Sequence, residues 1–161
     1  MSEAASNRSR LVSITLDEQS IAPSSSNIDH ERKVAIYDIL DANHFALDGC
    51  DDGPYALNLS IAEDRLVLAV GLEQGEAIST FVLSLSPLRR IMKDYFIVCD
   101  TYYKAIRTAP PSRIQAIDMG RRALHDDGSK LLVERLKGKI TVDHDTARRL
   151  FTLICALHWK G

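Results

Sequence analysis

Between Tyr55 and Leu85 large apolar residues recur at every second position; from Leu88 to Ile106 they recur three and four apart. A chain with both periods must build two kinds of element. Period two gives a strand one apolar face, and spacings of three and four give a helix one apolar stripe. Tyr55, Leu57, Leu59 and Ile61 alternate with Ala56, Asn58 and Ser60. Leu66, Leu68, Val70 and Leu72 repeat the pattern after a turn at Glu63-Asp64, and a third strand runs from Ala77 to Leu85 beyond Gln74-Gly75. Each strand has a single apolar face, which predicts an antiparallel meander covered on one side. A short strand at Phe45-Leu47 would make a fourth.

The flanks follow the same logic. Val12, Ile14 and Leu16 alternate with Ser13, Thr15 and Asp17, a half-buried strand. Pro23 and three serines mark a loop over Ile21 to Asn27. A helix is predicted from Ser26 or Asn27 to Asn43, with Val34, Ile36, Tyr37, Ile39 and Leu40 on its apolar side. Ser86-Pro87 opens a long helix through Leu88, Met92, Tyr95, Cys99, Tyr102 and Ile106, stopped by Pro110-Pro111. Ser112 and Gln115 have the spacing of a capping box, and Gly128 is read as the end of that helix. A short helix is then expected from Ser129 to about Leu136, and an extended piece at Ile140-Val142. Asp143 should cap a last helix to about His158, apolar nearly all round and therefore central. The expected fold class is α+β: an antiparallel β-meander of three to four strands with helices packed on one face and a helical C-terminal half. Residues 10–161 are expected to form a single α+β domain behind a flexible tail over residues 1–9.

Charge divides the chain. Residues 1–86 hold 5 Lys+Arg against 14 Asp+Glu, and residues 87–161 hold 15 against 8. A pI of about 6.2 excludes a general nucleic-acid coat protein, which would be basic overall. Three cysteines, Cys50, Cys99 and Cys155, form no Cys-x-x-Cys pair and are read as reduced thiols of a cytoplasmic protein. No apolar stretch has membrane-spanning length.

The basic half carries three doublets, Arg89-Arg90, Arg121-Arg122 and Arg148-Arg149. Arg122 and Arg149 follow an aspartate by four residues, and Arg90 precedes Asp94 by four; these are ordinary helix-surface pairings. Arg89, Arg121 and Arg148 have no such partner at that spacing. Arg121 and Arg148 lie on the apolar stripes of their helices, and Arg89 sits in a first turn, where the helix dipole disfavours a cation. These three are the candidate site, for an external anion or for a carboxylate of the acidic half that would lock the halves together.

Other chemistry finds less support. His125-Asp126-Asp127 and His144-Asp145 are read as solvated or capping groups at helix ends, so no metal site is expected. Asp48 to Gly53 falls short of a calcium loop, since Cys50 and Leu59 occupy ligand positions. Cys99 and Cys155 sit among apolar residues, where a thiol is inert. No phosphate loop, nucleophile elbow or dinucleotide motif occurs, and no cofactor is expected.

The chain also resembles uncharacterised protein family 0262, small bacterial proteins of unknown function. The resemblance rests on His30-Glu31-Arg32, Gly53-Pro54-Tyr55, Lys93-Asp94-Tyr95-Phe96, Ala116-Ile117-Asp118-Met119-Gly120-Arg121-Arg122, Gly138-Lys139-Ile140 and Asp145-Thr146-Ala147-Arg148-Arg149-Leu150-Phe151, and runs from about residue 10 to the C-terminus. It implies no activity, cofactor or partner. Three functions are therefore expected in descending order. The first is a non-catalytic interaction or regulatory module, its electropositive helical face meeting an acidic protein or a second copy. The second is an enzyme or sensor that binds a small anion through Arg89, Arg121 and Arg148. The third is a weak nucleic-acid binder, disfavoured because no helix-turn-helix or stacking platform is legible.

Overall fold

A computed structural model describes residues 8–158 apart from 22, 24 and 51. Six strands and four helices follow in the order β1 (Leu11–Leu16), α1 (Ser26–Asp41), β2 (Phe45–Leu47), β3 (Tyr55–Ala62), β4 (Arg65–Leu72), β5 (Ala77–Ser84), α2 (Ser86–Thr108), α3 (Pro111–Leu136), β6 (Ile140–Val142) and α4 (His144–His158). The class is α+β with a helical C-terminal part. Of the tail expected over residues 1–9, residues 1–7 lie outside the described residues. Ser9 is already part of the fold, its carbonyl accepting from the Phe45 amide at 3.0 Å.

β3, β4 and β5 form the antiparallel meander that the alternation predicts. Tyr55, Leu57, Leu59, Leu66, Leu68 and Val70 are buried, and the residues between them are half-covered or exposed. β1 adds to the free edge of β3 in parallel, so the sheet order is β1-β3-β4-β5 and the sheet is mixed. A parallel neighbour requires a crossover, and α1 supplies it. β2 is not a fourth meander strand; it pairs with β6 in a separate two-stranded sheet.

β1 departs from simple alternation. Leu11 pairs with Tyr55 and Ser13 with Ala56, so Val12 is the extra residue of a bulge. A bulge inverts the inside–outside parity across it. Leu11 and Ile14 are therefore both buried while Val12 is only half-covered. Asn43 secures this point: its side chain accepts from the Leu11 amide at 2.7 Å and donates to the carbonyls of Leu11 (3.1 Å) and Ile39 (2.9 Å). One amide thus joins the end of α1 to the bulged strand.

Helix boundaries shift where backbone geometry overrides local signals. α1 starts at Ser26 as predicted, and Ser25 caps it, accepting from the Ile28 amide. Ser86 and Ser112 cap nothing; α2 and α3 start from Leu85 and Pro110 without a side-chain cap. Asp143 does cap α4, its carboxylate accepting from the Thr146 amide at 2.8 Å. Gly128 does not end a helix, and the short helix from Ser129 is the continuation of α3. Gly128 is buried in mid-helix because a Cβ there would overlap the Phe151 ring.

α4 is the hub. Leu150, Phe151, Leu153, Ile154, Cys155 and Leu157 are almost wholly buried, in one core with the sheet residues. Its last carbonyls meet a cation: Arg32 of α1, 7% exposed, donates through Nε to the Ala156 carbonyl at 3.0 Å and through an Nη to the Leu157 carbonyl at 3.4 Å. Among the described residues those carbonyls have no partner within the helix, and they carry the negative end of its dipole. Arg32→Ala is expected to lower the unfolding free energy by about 2 kcal/mol, since hydrogen bonds from charged donors are worth roughly 1.5–3 kcal/mol each. Urea unfolding measures this, and a loss within 0.5 kcal/mol would show that the contact is idle.

Candidate functional site

The three arginines without a four-residue partner are all paired. Arg89 pairs with Asp64, in the turn after β3. This joins the basic half to the acidic one, as an internal carboxylate partner would, but both side chains are exposed and the pair contributes little stability. Arg121 reaches back three residues to Asp118, through Nε at 3.1 Å and an Nη at 2.5 Å. Arg148 donates to Asp126 of α3 at 3.1 Å. The surface pairings divide differently from the spacing rule. Arg122 does meet Asp118, at 3.0 Å. Arg149 instead donates to the Ala42 carbonyl at 2.6 Å, just past the end of α1. Among the described residues Arg90 forms no ion pair with Asp94, nor Arg149 with Asp145.

Arg121 and Arg148 nevertheless come together. With Arg122, Arg149, His125, Tyr95 and Thr152 they line one cleft of about 360 Å³. α3 contributes Arg121, Arg122 and His125, α4 contributes Arg148, Arg149 and Thr152, and α2 contributes Tyr95. Arg89 is not on this cleft.

The floor is His125, which the sequence offers as a solvated group at a helix end. It lies inside α3, is 9% exposed, and packs between Tyr95 (ring centroids 5.4 Å apart) and Phe151 (5.2 Å, edge-on). The missing side chain at Gly128 admits the Phe151 ring beneath it. Thr152 donates its hydroxyl to the Arg148 carbonyl at 3.1 Å, so its oxygen accepts from His125 Nε2 at 2.7 Å. That arrangement leaves Nδ1 with a lone pair, buried and without a partner among the described residues. Burial, then the guanidiniums of Arg148 and Arg121, push the imidazole pKa down to about 4, against a smaller opposing pull from Asp126. His125 is therefore neutral at pH 7.

Arg121 stays charged. Burial works against Arg121, but its hydrogen bonds to Asp118 and the nearby Tyr95 oxygen outweigh it and raise its pKa. The guanidinium also lies over the Tyr102 ring, 4.9 Å from its centroid. Asp118 is held below the usual carboxylate range chiefly by its hydrogen bond from Arg121, and Asp126 chiefly by Lys130. Asp126 also meets His144 Nε2 at 3.2 Å. The fold thus brings the two His-Asp groups together through Asp126 and His144, but no cluster of three or more His, Cys, Asp or Glu suited to a metal occurs among the described residues.

The sequence signals for Tyr95, Thr152 and His125 are weak. His125 follows Arg121 by four residues and so shares its helix face, but only the Gly128–Phe151 contact makes that face a buried one. Burial raises the pKa of the Cys99 thiol, and raises that of Cys155 strongly, which makes both poor nucleophiles.

The model of Uncharacterised protein family (UPF0262) matches residues 8–160. A UPF0262 protein of Bradyrhizobium sp. strain BTAi1 is 58% identical over 153 residues, covering 94% of this chain and 91% of that protein. One from Rhodopseudomonas palustris strain BisB5 is 57% identical over 152 residues, covering 94% and 93%. One from Nitrobacter winogradskyi is 56% identical over 154 residues, covering 96% and 92%. No solved structure matches. Among the described residues no helix is long and apolar enough to cross a membrane.

Proposed function

The chain belongs to uncharacterised protein family UPF0262, whose name carries no activity, and we propose that it is a non-catalytic binding or regulatory module whose electropositive cleft receives an anionic group at Arg121 and Arg148. The observation that carries this is the convergence of four arginines from two neighbouring helices on one concave site. Asp118 holds Arg121 and Arg122 and Asp126 holds Arg148, so two carboxylates face four guanidiniums. A neutral, buried imidazole beneath them adds no competing charge. The groups with catalytic potential support a binding role: the two buried thiols are protonated at neutral pH, and a histidine with a pKa of about 4 is a weak base. A cytoplasmic setting fits three free cysteines.

Arg121→Gln with Arg148→Gln is expected to weaken binding of inorganic phosphate at least tenfold, since each guanidinium contributes charge-assisted hydrogen bonds of about 1.5–3 kcal/mol. Titration calorimetry at low ionic strength measures this. Arg89→Gln serves as the control and should leave the affinity unchanged. Equal affinities for the double variant and the native chain would remove the cleft from consideration.

A second reading has its own support. Ile97, Tyr103, Ile106 and Met119 are exposed on α2 and α3, each at 47% or more. An acidic protein or a second copy meeting α2 and α3 would cover part of this apolar surface. Light scattering across salt concentrations distinguishes this reading, because self-association through charge weakens as salt rises.

A further inference from the structure

A second concavity adjoins the arginine cleft. It measures about 600 Å³ and lies between α1, α2 and α4. Its apolar wall is Val34, Ala35, Cys99, Tyr103, Cys155 and Ala156. The two cysteines belong to that wall, since burial keeps both thiols protonated and a thiol is then a small apolar side chain. Tyr95 and Thr152 line both concavities. The basic cleft and the apolar groove therefore share an edge.

We propose that this double site binds a single-chain amphiphile, with its anionic head between Arg121 and Arg148 and its alkyl chain in the groove. The inference rests on the reading of the arginine cleft as an anion site, and it adds the chemical class of the ligand. Three features favour it. The two volumes together fall in the range of small-molecule sites, which are concave and mostly apolar with a few placed polar groups. Charge sets the direction of the ligand: Glu31 and Asp38 of α1 line the groove, while α1 contributes nothing to the arginine cleft. The carboxylates disfavour an anionic head in the groove and the guanidiniums favour it in the adjoining cleft. The third feature is exposure. Val34 is 44% and Tyr103 57% exposed, so apolar surface at the mouth of the groove faces water. An alkyl chain removes that surface from solvent.

The head can be a phosphate or a carboxylate on a free monomeric amphiphile, or the same chemistry presented by a bilayer. The proposal commits to the free monomer, because a concave groove of this volume takes one chain and not a surface. The full chain is titrated with inorganic phosphate, butyl phosphate and octyl phosphate below its micelle concentration, and separately with anionic phospholipid vesicles. Each buried methylene gives about twofold to fourfold in affinity, so octyl phosphate should bind at least tenfold more tightly than butyl phosphate. Val34→Glu, an exposed substitution in the groove wall, should abolish that gain of octyl over butyl phosphate. Equal affinity for the butyl and octyl esters, with inorganic phosphate still bound, would overturn the amphiphile and leave the anion cleft standing. Failure of inorganic phosphate and both esters to bind would overturn both readings. Vesicle binding without octyl phosphate binding would make the occupant a bilayer and overturn the proposal.

Discussion

Phe151→Ala is expected to remove about 4 kcal/mol of stability, the range for a buried phenylalanine being roughly 3–5 kcal/mol. The side chain is fully buried, and its ring meets Tyr95 of α2 edge-on at 6.0 Å and His125 of α3 at 5.2 Å. It also occupies the space that Gly128 leaves open. Truncation therefore opens a cavity where three helices meet, and the glycine prevents α3 from filling it. Edge-on aromatic pairs add about 0.5–1.5 kcal/mol beyond area burial, so the loss should lie in the upper part of the range. In thermal unfolding this corresponds to roughly 10 °C for a domain of this size. A loss below 1 kcal/mol in urea unfolding would show that α4 is not the element around which the other helices are set.

The fold should also be sensitive to mild acid, through His125. Its folded pKa is about 4, below the ordinary 6.5, because burial and the guanidiniums of Arg148 and Arg121 oppose a third positive charge. Above pH 6.5 neither the folded nor the unfolded state carries the proton, and the group contributes nothing to pH dependence. Between pH 6.5 and about 4 the unfolded chain takes up the proton and the folded chain does not, so stability falls with pH. At 1.36 kcal/mol per pKa unit the loss approaches 3 kcal/mol near pH 4. His158, whose pKa burial also lowers, acts in the same direction. The aspartates held at depressed pKa values, Asp118, Asp126 and Asp143, begin to act only as their own protonation sets in at lower pH. Stability measured by urea at half-unit steps from pH 7.5 to 4.5 should decline from about pH 6.5, and His125→Phe should flatten most of that slope. An identical slope in the variant would assign the acid sensitivity elsewhere.

How much of this was legible depends on whether the signal is local. The meander and α4 depend on side-chain period, and the period survives in the sequence because one face of β3 and of β4, and most of α4, is buried. The sequence does not tell a boundary from a contact at Gly128, because glycine has two uses. It ends helices by adopting positive φ, as Gly138 does just beyond α3, and it admits a neighbour in mid-helix, as Gly128 does. Which use applies depends on Phe151, 23 residues on. The parity of β1 was lost to a bulge that only its pairing with β3 reveals. The arginines show the same division. Their lack of four-residue partners was readable, but Arg121 found a three-residue partner and Arg148 one on another helix. Their meeting over His125 depends on how α3 crosses α4, and no spacing within either helix encodes that.

The position of α4 in the chain has a consequence for synthesis. By residue 84 the ribosome has made all four strands of the main sheet, and their apolar face is complete. The helix that fills the core against that face begins only at His144. At about 5–20 residues per second, the nascent chain holds Leu57, Leu59, Leu66 and Leu68 without that cover for several seconds. The order of translation therefore opposes the order of packing, and the growing chain is most exposed to chaperones and to misassociation just before α4 emerges.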